Sequence, residues 1–123
     1  MVRDGEVLLV RQTHTDRWFM PGGGVKRGET FDAAARREAG EEAGAELHNL
    51  RLIYAYSNFK EWKSDHNIVF LSTYFNLSGK RAPENAELRF FPLDAPPEGL
   101  WPGHRRRLDE YRAQLHSPQF GER

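Results

Sequence analysis

Three carboxylates stand close together in this chain: Glu38, Glu41 and Glu42. Their offsets of i, i+3 and i+4 bring side chains onto one face of an α-helix. Like charges at that spacing destabilise a helix by about 0.2–0.5 kcal/mol per pair, so the grouping is mildly unfavourable until a cation joins it. Magnesium prefers oxygen ligands in octahedral geometry and is usually shared between one or two carboxylates and substrate phosphates. A glycine loop, Pro21-Gly22-Gly23-Gly24, leads toward the same segment. Glycine lets backbone approach a ligand closely, and a backbone carbonyl there can complete a metal shell. Together these features form the pattern of a site that holds a divalent metal against a phosphate chain. Each half also has a plainer reading. Three glutamates suit a solvated helix face laced with ion pairs, Arg37 with Glu41 and Arg36 with nearby acids, and most glycine runs are only turns.

The segment that must position the carboxylates reads as a helix from about Phe31 to Ala43. Thr30 is its N-cap, its alanines favour helix, and Gly44 fits the residue after the helix, where positive φ is often needed. Gly40 inside it costs about 0.5–1 kcal/mol relative to Ala. Phe31, Ala35 and Ala39 form a narrow apolar stripe that can lie on a sheet. Upstream, Glu6 to Arg11 is a buried strand and Arg17 to Met20 a second extended piece. Downstream, Leu50 to Tyr56 (with a start nearer Glu46 as an alternative), Ile68 to Phe75 and Leu88 to Phe91 are strands rich in aromatic and β-branched residues. Pro102-Gly103 leads into a last helix from about His104 to Leu115, and residues 117–123 read as a frayed tail. Strands and helices mix without strict alternation, which predicts an α+β fold with helices around a mixed sheet.

The bulk composition narrows the classes. With 123 residues the chain is the size of a single domain, taken as 1–123. Lys plus Arg equals Asp plus Glu, 18 each, so general affinity for nucleic acid or for anionic membrane is not expected. Cysteine is absent, which excludes disulfides, thiolate catalysis and zinc–thiolate sites. No apolar run approaches the roughly 20 residues of a membrane span, and Met1 to Gly5 does not read as a signal peptide. A cytoplasmic location is the expectation.

From Gly23 to Ala45 the residues fall at fixed offsets: Gly23, five residues, Glu29, seven residues, Arg37-Glu38, Ala39, any residue, Glu41-Glu42, any residue, Gly44, Ala45. This segment resembles the signature of the Nudix (MutT-like) hydrolases at every charged and glycine position, with the two aliphatic positions filled by alanine. Trp18 to Gly23 and Phe91 to Asp94 also look like the family. The resemblance implies a loop–helix–loop set on a mixed sheet sandwiched between helices. It implies that Glu38, Glu41 and Glu42 bind Mg²⁺ or Mn²⁺ with help from the Gly23 carbonyl. Glu29 and Arg37 would pair and hold the loop against the helix. The bond broken would be a phosphoanhydride in a small-molecule nucleotide, a nucleoside diphosphate linked to another moiety. Metal ions suit that chemistry because they neutralise the diphosphate and lower the pKa of a bound water, whose proton a carboxylate then takes. The base in this family is either a box glutamate, here Glu41, or one from a later loop, here Glu87 with Glu84 second.

The stretch that separates subfamilies, Ser57 to Lys63, has neither the proline of ADP-ribose hydrolases nor the tyrosine of dinucleoside polyphosphate hydrolases. Phe59 and Trp62 are candidates to stack on a base, against the plainer role of a hydrophobic flap. Arg11, Lys60 and Lys63 are candidates to meet phosphates. Asp65-His66 reads as a structural pair at a strand start. The basic cluster at His104 to Arg107 reads as a solvated helix face, with an anion grip as the sharper alternative. The family usually begins with a strand before the Asp-Gly turn, yet only Met1 and Val2 precede Arg3-Asp4-Gly5. An uncapped sheet edge invites pairing with another chain, so a homodimer is predicted. Two other functions stay open: a catalytically weak nucleotide-binding regulatory module, which would be expected to lose metal carboxylates, and an RNA-end pyrophosphohydrolase, which would want a basic groove.

Overall fold

The computed structural model describes residues 1–22, 25–58, 65–80 and 85–116. Gly23, Phe59, Lys60, Trp62, Lys63, Glu84 and the predicted tail 117–123 lie outside the described residues.

The fold is organised on one strand. β2, Glu6–Gln12, is bordered on one edge by β1 (Val2–Arg3) and β3 (Trp18–Phe19), and on the other by β8 (Asn85–Pro92). All three pairings are antiparallel, with Val2 opposite Val7, Val10 opposite Phe19 and Leu8 opposite Phe90. Val7, Leu8, Leu9 and Val10 are all buried, as a strand covered on both faces requires. Successive side chains alternate between the faces. Leu8 packs with Ala39 and Ala43 of helix α1, Phe31–Ala43. Val7 and Leu9 pack with Trp18 and with Leu108 and Tyr111 of helix α2, Pro102–His116. The sheet is therefore sandwiched between two helices. A parallel bridge between Trp18 and Leu100 adds the mixed character.

Two smaller ladders complete the described structure. β4 (Ala45–Leu47) pairs with β7 (Phe75–Leu77), and β5 (Arg51–Asn58) pairs with β6 (Asp65–Leu71). The sequence merged β6 and β7 into one strand from Ile68 to Phe75. They are separate because Asn49 caps the bend between them. Its Oδ1 accepts from the Thr73 and Tyr74 backbone N–H groups at 2.9 and 3.1 Å and from Ser72 Oγ at 3.0 Å. The alternative start near Glu46 is likewise a separate strand, β4.

Helix α1 has the bounds expected from the sequence. Thr30 Oγ1 accepts from the Ala33 N–H at 3.2 Å, and Gly44 closes the helix with φ of 62° and its N–H on Gly40 O. Of the predicted stripe Phe31, Ala35 and Ala39, only Ala39 is buried against the sheet. Ala34, Ala39 and Ala43 are the buried residues of α1, whereas Phe31 is 50% exposed. Helix α2 begins two residues earlier than expected, with Pro102 at its first position. There a missing N–H costs nothing and the fixed φ is already helical. The short first strand is present as a two-residue β1, and the Val2 N–H donates to Ser72 O at 2.9 Å. The edge on which the homodimer expectation rests is thus partly satisfied within the chain.

Gly44 couples the end of α1 to the chain after β7. Its φ is positive, and a Cβ there would collide with Lys80 O and crowd Ser78 Oγ. Gly44→Ala is expected to destabilise the fold by at least about 1–3 kcal/mol, from left-handed backbone strain together with the collision. Urea denaturation of the variant against the parent, with unchanged slope and a lower midpoint, checks this.

Candidate active site

A cavity of about 710 Å³ opens between α1, the end of β2 with β3, the start of α2 and β6. One wall is α1, from which Glu38 and Glu42 line the cavity beside Ala35. These two glutamates are one helical turn apart, so a single apolar-backed face carries both. Across the cavity lie Trp101, His104 and Arg106 at the start of α2. Neutral overall charge conceals this division into an acidic wall and a basic one.

The loop before α1 is fastened to the helix at two points. Gly22 N–H donates to Glu42 Oε1 at 2.7 Å, which sets the beginning of the glycine run against a cavity-lining carboxylate. Further along, Arg37 grips Glu29 through two bonds, Nε to Oε2 at 2.7 Å and Nη2 to Oε1 at 3.0 Å. Such fork-to-fork pairing fixes geometry as well as charge. The Lys26 N–H adds a third bond to Glu29 Oε1 at 2.9 Å. The Arg37 hydrogen bond, then the Lys26 N–H, hold the Glu29 carboxyl down from its ordinary 4.5 to about 2. The same partner raises the Arg37 pKa. Arg37 also reaches Glu41 Oε1 at 3.0 Å and lies 3.7 Å from Glu38 Oε1.

The three box glutamates therefore differ. The Glu38 side chain is 14% exposed and Glu42 is bonded to the loop, and both line the cavity. Glu41 is 54% exposed and bonded to Arg37, outside the cavity lining. Among the described residues, no three acidic or histidine side chains converge closely enough to chelate an ion. The available donors are nonetheless hard oxygens on one wall, which suits Mg²⁺ or Mn²⁺ better than softer metals.

Glu87 and Arg11 face each other across the β2–β8 ladder, Nε to Oε1 at 3.2 Å, and Arg89 bonds the other Glu87 oxygen. By strand alternation this cluster shares the face of Val7, Leu9 and Trp18, opposite the face of Leu8 that meets α1. Arg89 foremost, and then Arg11, lower the Glu87 pKa. Glu87 is thus held by Arg89 and Arg11 on the sheet face away from α1, and neither Glu87 nor Arg11 lines the cavity. No local feature near Glu87 reports the register that decides this.

The cluster at the start of α2, read as a solvated helix face, also divides. His104 Nδ1 accepts from the Met20 N–H at 2.9 Å, and burial followed by the Arg107 charge lowers its pKa. Arg105 donates to Pro97 O and Arg107 pairs with Glu110. Arg106 and Arg107 line the cavity. Phe19, Phe31 and Trp101 also line it, and the sequence reading did not name them as site residues because which aromatics border a cavity depends on distant packing.

A family model described as NUDIX domain matches residues 1–111. The chain is 40% identical over 76 residues to diphosphoinositol polyphosphate phosphohydrolase 3-alpha of Mus musculus, covering 61% of this chain and 46% of that one. It is 34% identical over 67 residues to the RNA pyrophosphohydrolase of Erwinia tasmaniensis, covering 54% and 38%. The chain spans less than half the length of these curated relatives. Among solved structures, a MutT NUDIX hydrolase from Burkholderia pseudomallei matches with a TM-score of 0.73 and 29% identity, over 89% of this chain and 90% of that one. The solution structure of the E. coli ORF135 protein matches with a TM-score of 0.71 at 24% identity, over 93% and 84%, a likeness of fold. No helix among the described residues is long and apolar enough to cross a membrane.

The Glu29–Arg37 pair carries a pH signature. A carboxyl with a depressed folded-state pKa stabilises the fold above its unfolded value, and that stabilisation is lost as pH falls through the folded one. Glu29→Gln is expected to lower Tm by a few degrees at pH 7, with the gap to the parent closing as pH falls from 4.5 to about 2. Thermal melts of the two proteins across that range check this.

Proposed function

This chain belongs to the Nudix family, and from that premise we propose that it is a metal-dependent hydrolase that cleaves a phosphoanhydride bond. Its substrate is a small-molecule nucleotide, a nucleoside diphosphate joined to another moiety. The observation that carries the reading is the placing of Glu38 and Glu42 together on the wall of one cavity, with the glycine loop bonded to Glu42. The two named relatives have phosphohydrolase chemistry in common. That bond class, and neither relative's named substrate, is what we carry over.

Glu38 and Glu42 are the residues that would hold Mg²⁺ or Mn²⁺, with the Gly23 carbonyl and Glu41 as further donors. A divalent ion bound there supplies neutralisation of the diphosphate and a more acidic water. Glu41 stands at i+3 from Glu38 and is our choice of proton acceptor, leaving Arg37 to hold it near the wall. Arg37 and Glu29 do not touch substrate in this scheme. They tie the chain at Lys26 and Glu29 to the helix, so that this part of the loop needs no further ordering at the moment of reaction. The presence of all three glutamates argues against a regulatory module without turnover.

Glu38→Gln and Glu42→Gln are each expected to reduce hydrolysis by about 10²–10³-fold, the usual cost of losing one transition-state charge contact, while circular dichroism stays parental. Glu87→Gln is expected to stay within a few-fold of the parent. Chelation by EDTA should abolish activity, and Mg²⁺ or Mn²⁺ should restore it. The measurement is phosphate release from a panel of nucleoside di- and triphosphates, ADP-ribose, dinucleoside polyphosphates and nucleotide sugars, with a coupled phosphatase. Parental rates in Glu38→Gln would overturn the metal-site assignment.

A further inference from the structure

The cavity has an apolar mouth that the carboxylate chemistry does not use. Among the described residues five large hydrophobic side chains are exposed, and three of them line this cavity: Val25 at 45%, Phe31 at 50% and Trp101 at 42%. Scattered exposed hydrophobics are ordinary, but several gathered around one cavity mark a ligand surface.

Trp101 is the best supported of the three. Its indole stacks on Phe19, with centroids 5.7 Å apart and planes 22° from parallel. His104 closes on Phe19 edge-on at 5.9 Å and is itself anchored by the Met20 N–H. The Trp101 backbone is tied to β3, its N–H donating to Trp18 O at 2.9 Å. Arg17 approaches the indole to 5.4 Å from its centroid. At Gly103 a Cβ would lie in ordinary contact with the indole, at 3.6 Å from Cδ1. The ring is therefore held in place while remaining partly open to the cavity. Near it, Arg106 lines the same wall and has no ion-pair partner among the described residues.

We propose that Trp101, backed by Phe19, is the residue that stacks on the base of the substrate and so favours nucleotides over base-less phosphates, with Arg106 meeting its phosphates. This rests on the hydrolase reading above and names which end of the substrate lies where: the base at the α2 wall, the phosphoanhydride at the Glu38–Glu42 wall. A polyol polyphosphate has no planar face to offer this platform. A nucleotide has one, and every base can use it because each has a π-face.

The test separates binding from turnover. ADP, GDP, CDP and UDP are titrated calorimetrically into the parent, Trp101→Ala and Trp101→Phe in Mg²⁺, with inorganic pyrophosphate as the base-less probe. Trp101→Ala is expected to weaken nucleotide binding by about tenfold to a hundredfold, the range of one base-on-aromatic contact. Trp101→Phe should restore most of it, and pyrophosphate binding should not change. In turnover, KM for nucleotide substrates should rise with kcat little altered. Equal weakening for pyrophosphate would mean that the ring only supports the fold. Unchanged nucleotide binding in Trp101→Ala, or no nucleotide binding to the parent, would also overturn the proposal. A parent that binds nucleotides through Trp101 yet cleaves none of the panel would overturn the hydrolase reading and leave the platform standing.

Discussion

The site depends on one ion pair, Glu29 with Arg37. A loop rich in glycine has little reason to hold one shape, because glycine loses more conformational freedom on folding than any other residue. The planar guanidinium answers this with two parallel bonds to one carboxylate, and the Lys26 N–H adds a third. The pair closes a segment of chain onto the helix that follows it, eight residues away. A lysine in place of Arg37 could match the charge but not the fork. Arg37 then uses its remaining reach on Glu41 and Glu38, which tempers repulsion among acids on one helical face.

Local structure was legible where local chemistry decides it. Thr30, the alanines and Gly44 define α1 without help from the rest of the chain, and Pro102 marks the entry to α2. The fixed offsets from Gly23 to Ala45 pointed to the carboxylates, and the structure places Glu38 and Glu42 on a common cavity wall. What was not legible depends on distant partners. Glu87 looked available as a base because nothing nearby in sequence says which face of β8 it occupies. The register of β8 against β2 decides that, across more than seventy residues, and it sets Glu87 beside Arg11. The buried stripe of α1 was misjudged for a related reason. Helix periodicity allows several stripes, and the large Phe31 drew attention to one that shares only Ala39 with the face packed on Leu8, which is Ala39 and Ala43.

The two helices divide the labour of the cavity. Helix α1 brings acids and small side chains, and the start of α2 brings an indole, an imidazole and arginines. Neither wall is informative from overall charge, which is zero. The polarity of the site comes from where the chain sends its charges. β2 permits this arrangement, because a strand buried on both faces lets each helix pack independently.

The alanine face of α1 has a consequence for how this protein can change over generations. With only methyl groups at Ala39 and Ala43, the helix axis runs close against Leu8 and Phe75. Any bulkier residue there would lift the whole rod and carry the carboxylates outward with it. Two side chains with no reactive atoms are thus under a steric veto comparable to that on the acids, and drift at this contact is expected to be purged although it never touches a ligand.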